Sequence, residues 1–133
     1  MILPYLTEGF EVPTPAVKVQ LFNPTTKAKE IGVARIDYGA DITTIPFLMF
    51  EKLNLNVFGT TYTSGYNDPG ESHLLFICSL RLRTLTFSNI NVIAALTPHV
   101  LLGLDILNTL HICLDGNKKQ FEIIERRKKK RRQ

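Results

Sequence analysis

The most informative stretch of the sequence reads Arg35-Ile36-Asp37-Tyr38-Gly39-Ala40-Asp41-Ile42-Thr43-Thr44-Ile45-Pro46. Residues 31–36, which lead into Asp37, are mostly apolar or β-branched and predict a short strand. A carboxylate at the end of a buried strand is costly unless hydrogen bonds or a second charge compensate it. Gly39 allows the chain to turn at once, because it has no Cβ to clash. The stretch therefore predicts Asp37 on a tight loop above a rigid strand, a position suited to acid–base chemistry.

A second block lies about sixty residues further along and reads His99-Val100-Leu101-Leu102-Gly103-Leu104-Asp105-Ile106-Leu107. Residues 100–102 predict a buried strand, Gly103 a sharp bend, and residues 104–110 a short helix. Together the two blocks resemble the conserved segments of the retropepsin-like aspartic proteases, and the resemblance spans about residues 16–124. It implies a mostly β fold, a closed β-barrel of the acid protease (retropepsin) type with one or two short helices.

The resemblance also implies roles for individual residues. Asp37 matches the catalytic carboxylate, and Tyr38 occupies an active-site loop position where the family has Thr or Ser. The positions implied to bind substrate are Gly39, Ala40, Asp41 and Leu101. Asp41 has a second interpretation, as a turn cap or as an ion-pair partner across a dimer. Asp105 is interpreted as structural, capping the helix or bonding to the active-site loop.

Peptide hydrolysis by carboxylates requires two of them close together, sharing one proton. This chain supplies one such motif and is too short for two lobes. A homodimer with twofold symmetry would bring two copies of Asp37 together at its axis. The retropepsin arrangement needs no metal and no cofactor. Its substrate is an extended peptide or protein segment that pairs with the enzyme as an added strand.

A predicted hairpin follows the active-site stretch. Residues 60–66 and 72–83 predict two strands, joined by the turn Asn67-Asp68-Pro69-Gly70, in which Pro and Gly suit a type II turn. In retropepsins a hairpin at this point is the flap that closes over bound peptide, and the alternative is a plain solvent-exposed hairpin. The alternation in the second strand predicts one face formed by Leu74, Phe76, Cys78, Leu80 and Leu82, and an opposite face with Ser79, Arg81 and Arg83.

The rest of the chain divides into three predicted parts: an irregular arm at residues 1–15, one protease-like domain at 16–125, and a basic, disordered tail at 126–133. Within the domain, residues 16–22 and 29–37 predict a hairpin and residues 47–53 a helix. Further strands are expected at 85–87 and 90–96, and a closing hairpin at 111–114 and 120–124.

Composition agrees with one globular domain. The 133 residues are 44% hydrophobic and 21% charged, and no window approaches a membrane span. Seven of the sixteen basic residues lie in residues 126–132, so the rest of the chain, with nine basic and twelve acidic residues, carries a net charge of −3. The basic run is a candidate contact for an acidic partner or nucleic acid, and the alternative is a solvated terminus.

The cysteines and histidines suggest no metal centre. Cys78 and Cys113 are far apart and are expected to be buried thiols, and the three histidines show no ligand spacing. The first residues also lack the basic and long apolar segments of a secretory signal. We therefore expect a cytoplasmic protein.

Two further functions remain open, one because of Tyr38 and one because of the basic tail. In the family, the Thr or Ser hydroxyl bonds across the dimer, and a Tyr ring adds volume at that tight position. One alternative is a retropepsin-fold dimer with impaired catalysis that acts as a peptide- or protein-binding module. Another is a nucleic-acid binder that uses the basic tail, although the body of the chain offers no matching basic and aromatic surface.

Overall fold

The computed structural model describes residues 1–63 and 70–125. Over these residues the chain forms ten strands and two short helices. In chain order they are β1 (Ile2–Pro4), β2 (Ala16–Phe22), β3 (Lys29–Ile36), β4 (Thr44–Pro46), α1 (Phe47–Leu53), β5 (Val57–Thr63), β6 (Glu71–Leu82), β7 (Leu85–Ala95), β8 (Val100–Leu102), α2 (Leu104–Leu107), β9 (His111–Asp115) and β10 (Gln120–Ile124).

Six strands close into a barrel in the order β2-β3-β8-β4-β7-β6, and a β6–β2 pairing completes the circle. β5 extends the sheet beyond β6, while β1, β10 and β9 form a separate three-stranded sheet. Most neighbouring strands are antiparallel, but β3 runs parallel to β8 and β4 parallel to β7. The predicted fold class, a mostly β closed barrel with short helices, is confirmed.

The first hairpin shows how the sequence pattern produces the barrel wall. In β2, Val17, Val19 and Leu21 are buried while Lys18 is exposed, as the alternation predicted. β2 pairs with β3 over the whole strand, from the Ala16–Arg35 pair onward. The apolar side chains of these strands join one core that fills the barrel.

Asn23, in the turn between β2 and β3, ties helix α1 to the barrel. Its Nδ2 donates hydrogen bonds to the carbonyls of Leu53 (3.0 Å) and Asn54 (3.1 Å), and its Oδ1 accepts one from the amide of Thr25 (2.9 Å). Asn23 is only 2% exposed, so its polar atoms depend on these partners. The end of α1, a helix predicted at residues 47–53, is thereby fixed next to the first turn.

The N-terminal residues are more regular than the sequence predicted. β1 pairs with β10, placing the buried Leu3 opposite Phe121, and Leu6 forms a backbone bridge with Thr14. The expectation of an irregular arm was therefore wrong at these positions. A three-residue strand is too short to show a period, and its partner lies at the other end of the sequence.

The alternation predicted along β6 also fails at Ser79. The pairing of β6 with β7 shifts register between Cys78 and Leu80, and all three consecutive residues are buried. Ser79 Oγ accepts a hydrogen bond from the amide of Asn89 (3.0 Å). A bulge of this kind turns an extra residue inward. Leu74, predicted to share the buried face, is 51% exposed.

Several element bounds differ from the predictions, two of them by more than a residue or two at the end of a strand or helix. The runs expected at 85–87 and 90–96 form the single strand β7, and the second helix ends at Leu107 rather than at residue 110. After α2 the chain continues in tighter turns, with the amide of Leu110 donating to the carbonyl of Leu107 (3.1 Å). In the part of the chain that the structure describes, no helix is long and apolar enough to cross a membrane.

The two cysteines differ in environment. Cys78 is fully buried in the barrel core, and its burial raises the pKa of the thiol to about 11. Cys113, which was also expected to be buried, is exposed on β9. That expectation was wrong because Cys113 lies on the face of β9 opposite to Ile112 and Leu114, the residues paired with the buried Ile123 and Phe121.

Candidate active site

Asp37 lies where two parallel strands end. It directly follows β3, and its backbone amide donates a hydrogen bond to the carbonyl of Leu102 (3.1 Å), the last residue of β8. The preceding residue, Ile36, is paired with Leu102 and is buried in the core. The barrel therefore holds the backbone of Asp37 on both sides, while the residue itself is half-buried at the edge.

The loop after Asp37 orients its carboxylate. The amide of Gly39 donates to Asp37 Oδ1 (2.9 Å), and the amide of Ala40 donates to the Asp37 carbonyl (3.2 Å). A Cβ at Gly39 would lie 3.2 Å from Asp37 Oδ1, closer than ordinary van der Waals contact. A glycine at this position lets the backbone come close enough for the Gly39 amide to bond to Asp37 Oδ1, and this hydrogen bond orients the carboxylate.

The far side of the same loop is attached to the start of α2. The amide of Leu104 donates to the carbonyl of Ala40 (2.8 Å), and the amide of Asp105 donates to the carbonyl of Asp41 (3.2 Å). The two sequence blocks that carried the resemblance therefore meet in space. Each supplies hydrogen-bonding groups that the backbone of the other requires.

Asp105 and Thr43 form the main link between the two blocks. Asp105 Oδ1 accepts hydrogen bonds from the Thr43 amide (3.1 Å), the Thr43 hydroxyl (2.8 Å) and the Ile106 amide (3.0 Å). The Thr43 hydroxyl in turn accepts a hydrogen bond from the amide of Gly103 (3.2 Å). These contacts agree with the structural interpretation of Asp105. Thr43, which is fully buried, was not singled out from the sequence.

Gly103 is required by close packing rather than by an unusual backbone angle. A Cβ added there would lie 2.7 Å from the backbone carbon of Ile42 and 2.9 Å from the carbonyl oxygen of Ala40. The active-site loop crosses directly over this residue. The glycine of the second block thus allows the two segments to touch.

The remaining residues assigned from the sequence lie at or near the surface. Tyr38 is 49% exposed, Gly39 and Asp41 are exposed, and Leu101 is half-buried. Leu101 alternates with two core residues of β8 and pairs with the exposed Arg35, so it lies on the face of the sheet away from the core.

The predicted flap is described only in part. β5 and β6 form an antiparallel hairpin, paired up to Thr63 and Glu71. Asn67, Asp68 and Pro69 lie outside the described residues. Gly70 has a φ of +88°, in the left-handed region that a glycine adopts without strain.

One contact before the start of β8 was not predicted. The ring of Phe10 stacks on His99 with centroids 4.3 Å apart, and His99 Nε2 lies 3.2 Å from the carbonyl oxygen of Gly9. This contact attaches the N-terminal loop to the segment just before β8. Over residues 1–63 and 70–125, no three His, Cys, Asp or Glu side chains are grouped so that they could hold a metal ion.

Comparisons with known proteins identify the fold. No protein-family model matches the chain, and no curated protein matches it. The EIAV protease, solved in complex with the inhibitor HBY-793, has a TM-score of 0.56 at 17% identity, covering 78% of this chain and 93% of its own. A retropepsin-like aspartic protease from Rickettsia conorii has a TM-score of 0.56 at 19% identity, covering 92% of this chain and 88% of its own. This chain has a retropepsin-like fold.

In this retropepsin-like fold, the carboxylate at the ends of the parallel strands β3 and β8 is that of Asp37. None of the hydrogen bonds or ion pairs found among the described residues joins Asp37 to a second carboxylate. The Asp105 carboxylate already accepts hydrogen bonds from Thr43 and Ile106.

Proposed function

We propose that this protein is an aspartic endopeptidase whose catalytic pair is Asp37 and the Asp37 of a second copy. The observation that carries the proposal is the setting of Asp37 at the ends of two parallel strands, with Oδ1 held by the Gly39 amide. The surrounding loop is bonded at both ends, so the carboxylate is positioned before substrate arrives. Such preorganisation is what proton transfer in a catalytic site requires.

The proposed mechanism divides the work between two carboxylates. Two such groups a few ångström apart cannot both ionise, so the pair shares one proton and titrates as a unit. The ionised member removes a proton from water as it attacks the peptide carbonyl, and the protonated member donates to the carbonyl oxygen. Twofold symmetry supplies the pair from a chain that has one motif.

The proposed substrate is an extended peptide lying over the active-site loop. Gly39 and Asp41 are exposed there, and an added strand would pair with the Gly39 carbonyl and the Asp41 amide, because the amide and the carbonyl of Ala40 are already hydrogen-bonded to Asp37 and Leu104. Leu101, on the face away from the core, would form a pocket wall. Residues 67–70 would form the tip of a flap. No cofactor enters this scheme.

A peptide-binding module without turnover is the second candidate, and it rests on Tyr38. The side chain is 49% exposed beside the proposed catalytic residue. At a dimer axis its ring must be accommodated next to its symmetry mate, and small displacements of a catalytic group reduce the rate sharply.

Three expectations from the sequence remain predictions. They are the division into arm, domain and tail, the cytoplasmic location, and the contact of the basic run with an acidic partner or nucleic acid. Residues 126–133 lie outside the described residues. If the run binds nucleic acid, deletion of residues 126–132 should abolish binding that Asp37→Asn leaves intact.

The experiment that tests the proposal is turnover of a mixed peptide library between pH 4 and 7. We expect wild-type protein to cleave peptides and Asp37→Asn to be inactive while remaining folded. Asp41→Asn is a matched control, because the same change at that position removes a proposed binding contact and leaves the catalytic pair. Folded wild-type dimer that cleaves no peptide would contradict the proposal and favour the binding module.

A further inference from the structure

A shallow groove of about 260 Å³ lies on the outer face of the barrel, where β3, β2 and β6 are neighbours. Three exposed cations stand along it, on β2 and at the end of β6. The described residues that line the groove include no carboxylate and no aromatic ring; they are Lys18, Val19, Gln20, Ile31, Arg81 and Arg83. The groove is therefore positively charged, although residues 1–125 as a whole carry a net charge of −3.

The register of the strands brings these cations together. Gln20 of β2 lies opposite Ile31 of β3 on one side and opposite Arg81 of β6 on the other. Continuing the β2–β6 register by two residues places Lys18 opposite Arg83, and residues two apart on a strand are about 7 Å apart on the same face. Because β2 and β6 are far apart along the chain, the sequence alone did not reveal this cluster.

The cluster is unfavourable for the fold by itself. Like charges on neighbouring strands repel each other, and within residues 1–63 and 70–125 none of the three cations forms an ion pair. Arg83 also has a φ of +55° in the two-residue turn between Leu82 and Leu85, where glycine is a usual residue. Local costs of this kind, gathered on one exposed surface, point to a binding role.

One of the arginines is oriented before any ligand arrives. Arg81 Nε donates a hydrogen bond to the carbonyl of Arg83 (3.1 Å). This contact uses one of the five donors of the guanidinium group and fixes the direction of the others. A guanidinium group held in this way can donate two parallel hydrogen bonds to a phosphate.

The basic run at the end of the sequence begins beside the same groove. Glu125, the last described residue before the run, accepts a hydrogen bond from the hydroxyl of Thr84 (3.1 Å), and Thr84 directly follows Arg83. These three residues also line one depression on the surface. Residues 126–132 are all basic, so the two most basic parts of the chain adjoin at Arg83.

We propose that this groove binds the phosphate backbone of a nucleic acid duplex, with Lys18, Arg81 and Arg83 each contacting a phosphate. A nucleic acid supplies the repeated negative charges that complement a row of cations. Because no described residue of the groove is aromatic, it offers no platform for the unstacked bases of a single strand, and the backbone of a duplex fits it better. Contacts to phosphates carry no sequence information directly, so binding is independent of base sequence.

The proposal is tested on the full chain with a short, labelled DNA duplex of mixed sequence, by fluorescence anisotropy over a range of salt concentrations. The groove variant combines Lys18→Gln, Arg81→Gln and Arg83→Gln. Each phosphate contact adds about 0.9 to the slope of log affinity against log salt, so we expect this variant to lower the magnitude of the slope by about 2–3. A wild-type chain that does not bind the duplex even at low salt would overturn the proposal.

A control variant removes the same charge from other surfaces. Lys52→Gln, Lys118→Gln and Lys119→Gln change exposed residues on α1 and in the turn between β9 and β10. We expect the dissociation constant for the duplex to be at least about tenfold higher for the groove variant than for the control variant. Equal dissociation constants would show that only total charge matters and would refute the groove as the binding site.

A second pair of variants separates binding from stability. Lys119, like Arg83, is exposed and has a positive φ, +52°. Arg83→Gly and Lys119→Gly each remove one charge and introduce a residue that adopts this backbone without strain, so neither should lower the melting temperature. Only Arg83→Gly should weaken duplex binding, by about fivefold. Equal binding by the two variants would contradict the proposal.

Vesicles that contain phosphatidylserine distinguish a nucleic acid from an anionic membrane as the partner. We expect the groove and control variants to bind these vesicles equally, while they differ in binding the duplex. If the groove variant instead loses vesicle binding and binds the duplex as tightly as the control variant, the groove is a membrane contact and the proposal is wrong.

Discussion

Replacing Asp105 with alanine should separate the two blocks of the active site. The carboxylate accepts hydrogen bonds from the amide and hydroxyl of Thr43 and from the Ile106 amide. Thr43 is fully buried, so two of these donors would lose their partner away from bulk solvent. An unsatisfied buried donor costs about 1–3 kcal/mol. Asp105 itself is exposed, so water can partly replace its carboxylate as the acceptor, and we expect the free energy of unfolding to fall by about 2–3 kcal/mol in total.

Asp105→Asn is the matched variant. Oδ1 makes three of the four contacts, and Oδ2 contacts only the Thr43 amide, at 3.2 Å. An asparagine with its carbonyl oxygen at the Oδ1 position keeps those three bonds and loses the charge. We expect Asp105→Asn to lower the free energy of unfolding by about 1 kcal/mol.

The assay is urea denaturation followed by far-ultraviolet circular dichroism, since the chain has no tryptophan. All variants should be compared at one protomer concentration, because self-association contributes to apparent stability. The free energy of unfolding of Asp105→Ala is then compared with that of wild type and of Asp105→Asn. If it is within about 0.5 kcal/mol of the wild-type value, or no lower than that of Asp105→Asn, the hydrogen bonds to Asp105 do not hold the two blocks together.

Three further predictions follow from particular contacts. Gly103→Ala should destabilise the fold by about 2–3 kcal/mol, because its Cβ would lie 2.7 Å from the backbone carbon of Ile42. Gly116→Ala should be neutral, because a Cβ there meets nothing within 4 Å. Equal melting temperatures for the two variants would contradict this prediction. Between pH 9 and 11 the Cys78 thiol loses its proton in the unfolded chain but retains it in the folded chain, where its pKa is about 11. Over this range the free energy of unfolding of wild type should therefore fall by about 2–3 kcal/mol relative to that of Cys78→Ala. If the two free energies of unfolding change in parallel with pH, the buried thiol makes no such contribution. Tyr38→Thr should raise kcat/KM by about tenfold or more if the ring displaces the catalytic pair, and peptide binding without any gain in turnover would favour the binding module.

Local patterns predicted most of the strands and helices, and the resemblance of the two blocks to a known family implied the closed barrel. Alternation identified β2, a proline followed by apolar residues identified α1, and the Asp37 and Gly103 blocks identified the two segments that meet. Asp37, Gly103 and Asp105 stood out because their residue types are unusual next to buried strands. In the structure the two blocks are in contact.

The features that were missed depend on contacts between distant residues. Thr43 and Asn23 bond to groups 62 and 30 residues away, and a single polar residue in a turn or strand gives no sign of such a partner. The inward position of Ser79 depends on a bulge, which the alternation along β6 does not encode. Cys113, by contrast, alternates with Ile112 and Leu114, so the pattern of β9 already assigns it to the polar face of the strand.

Subunit mixing tests the proposed catalytic pair most directly. A fixed amount of wild-type protein is combined with increasing Asp37→Asn, allowed to exchange, and assayed on a peptide that wild type cleaves. If each active site needs Asp37 from both copies, a ninefold excess of Asp37→Asn should reduce the wild-type activity to about a tenth, because most wild-type chains are then in mixed dimers. Activity that stays constant as Asp37→Asn is added would show that one Asp37 is sufficient and would contradict the proposed pair.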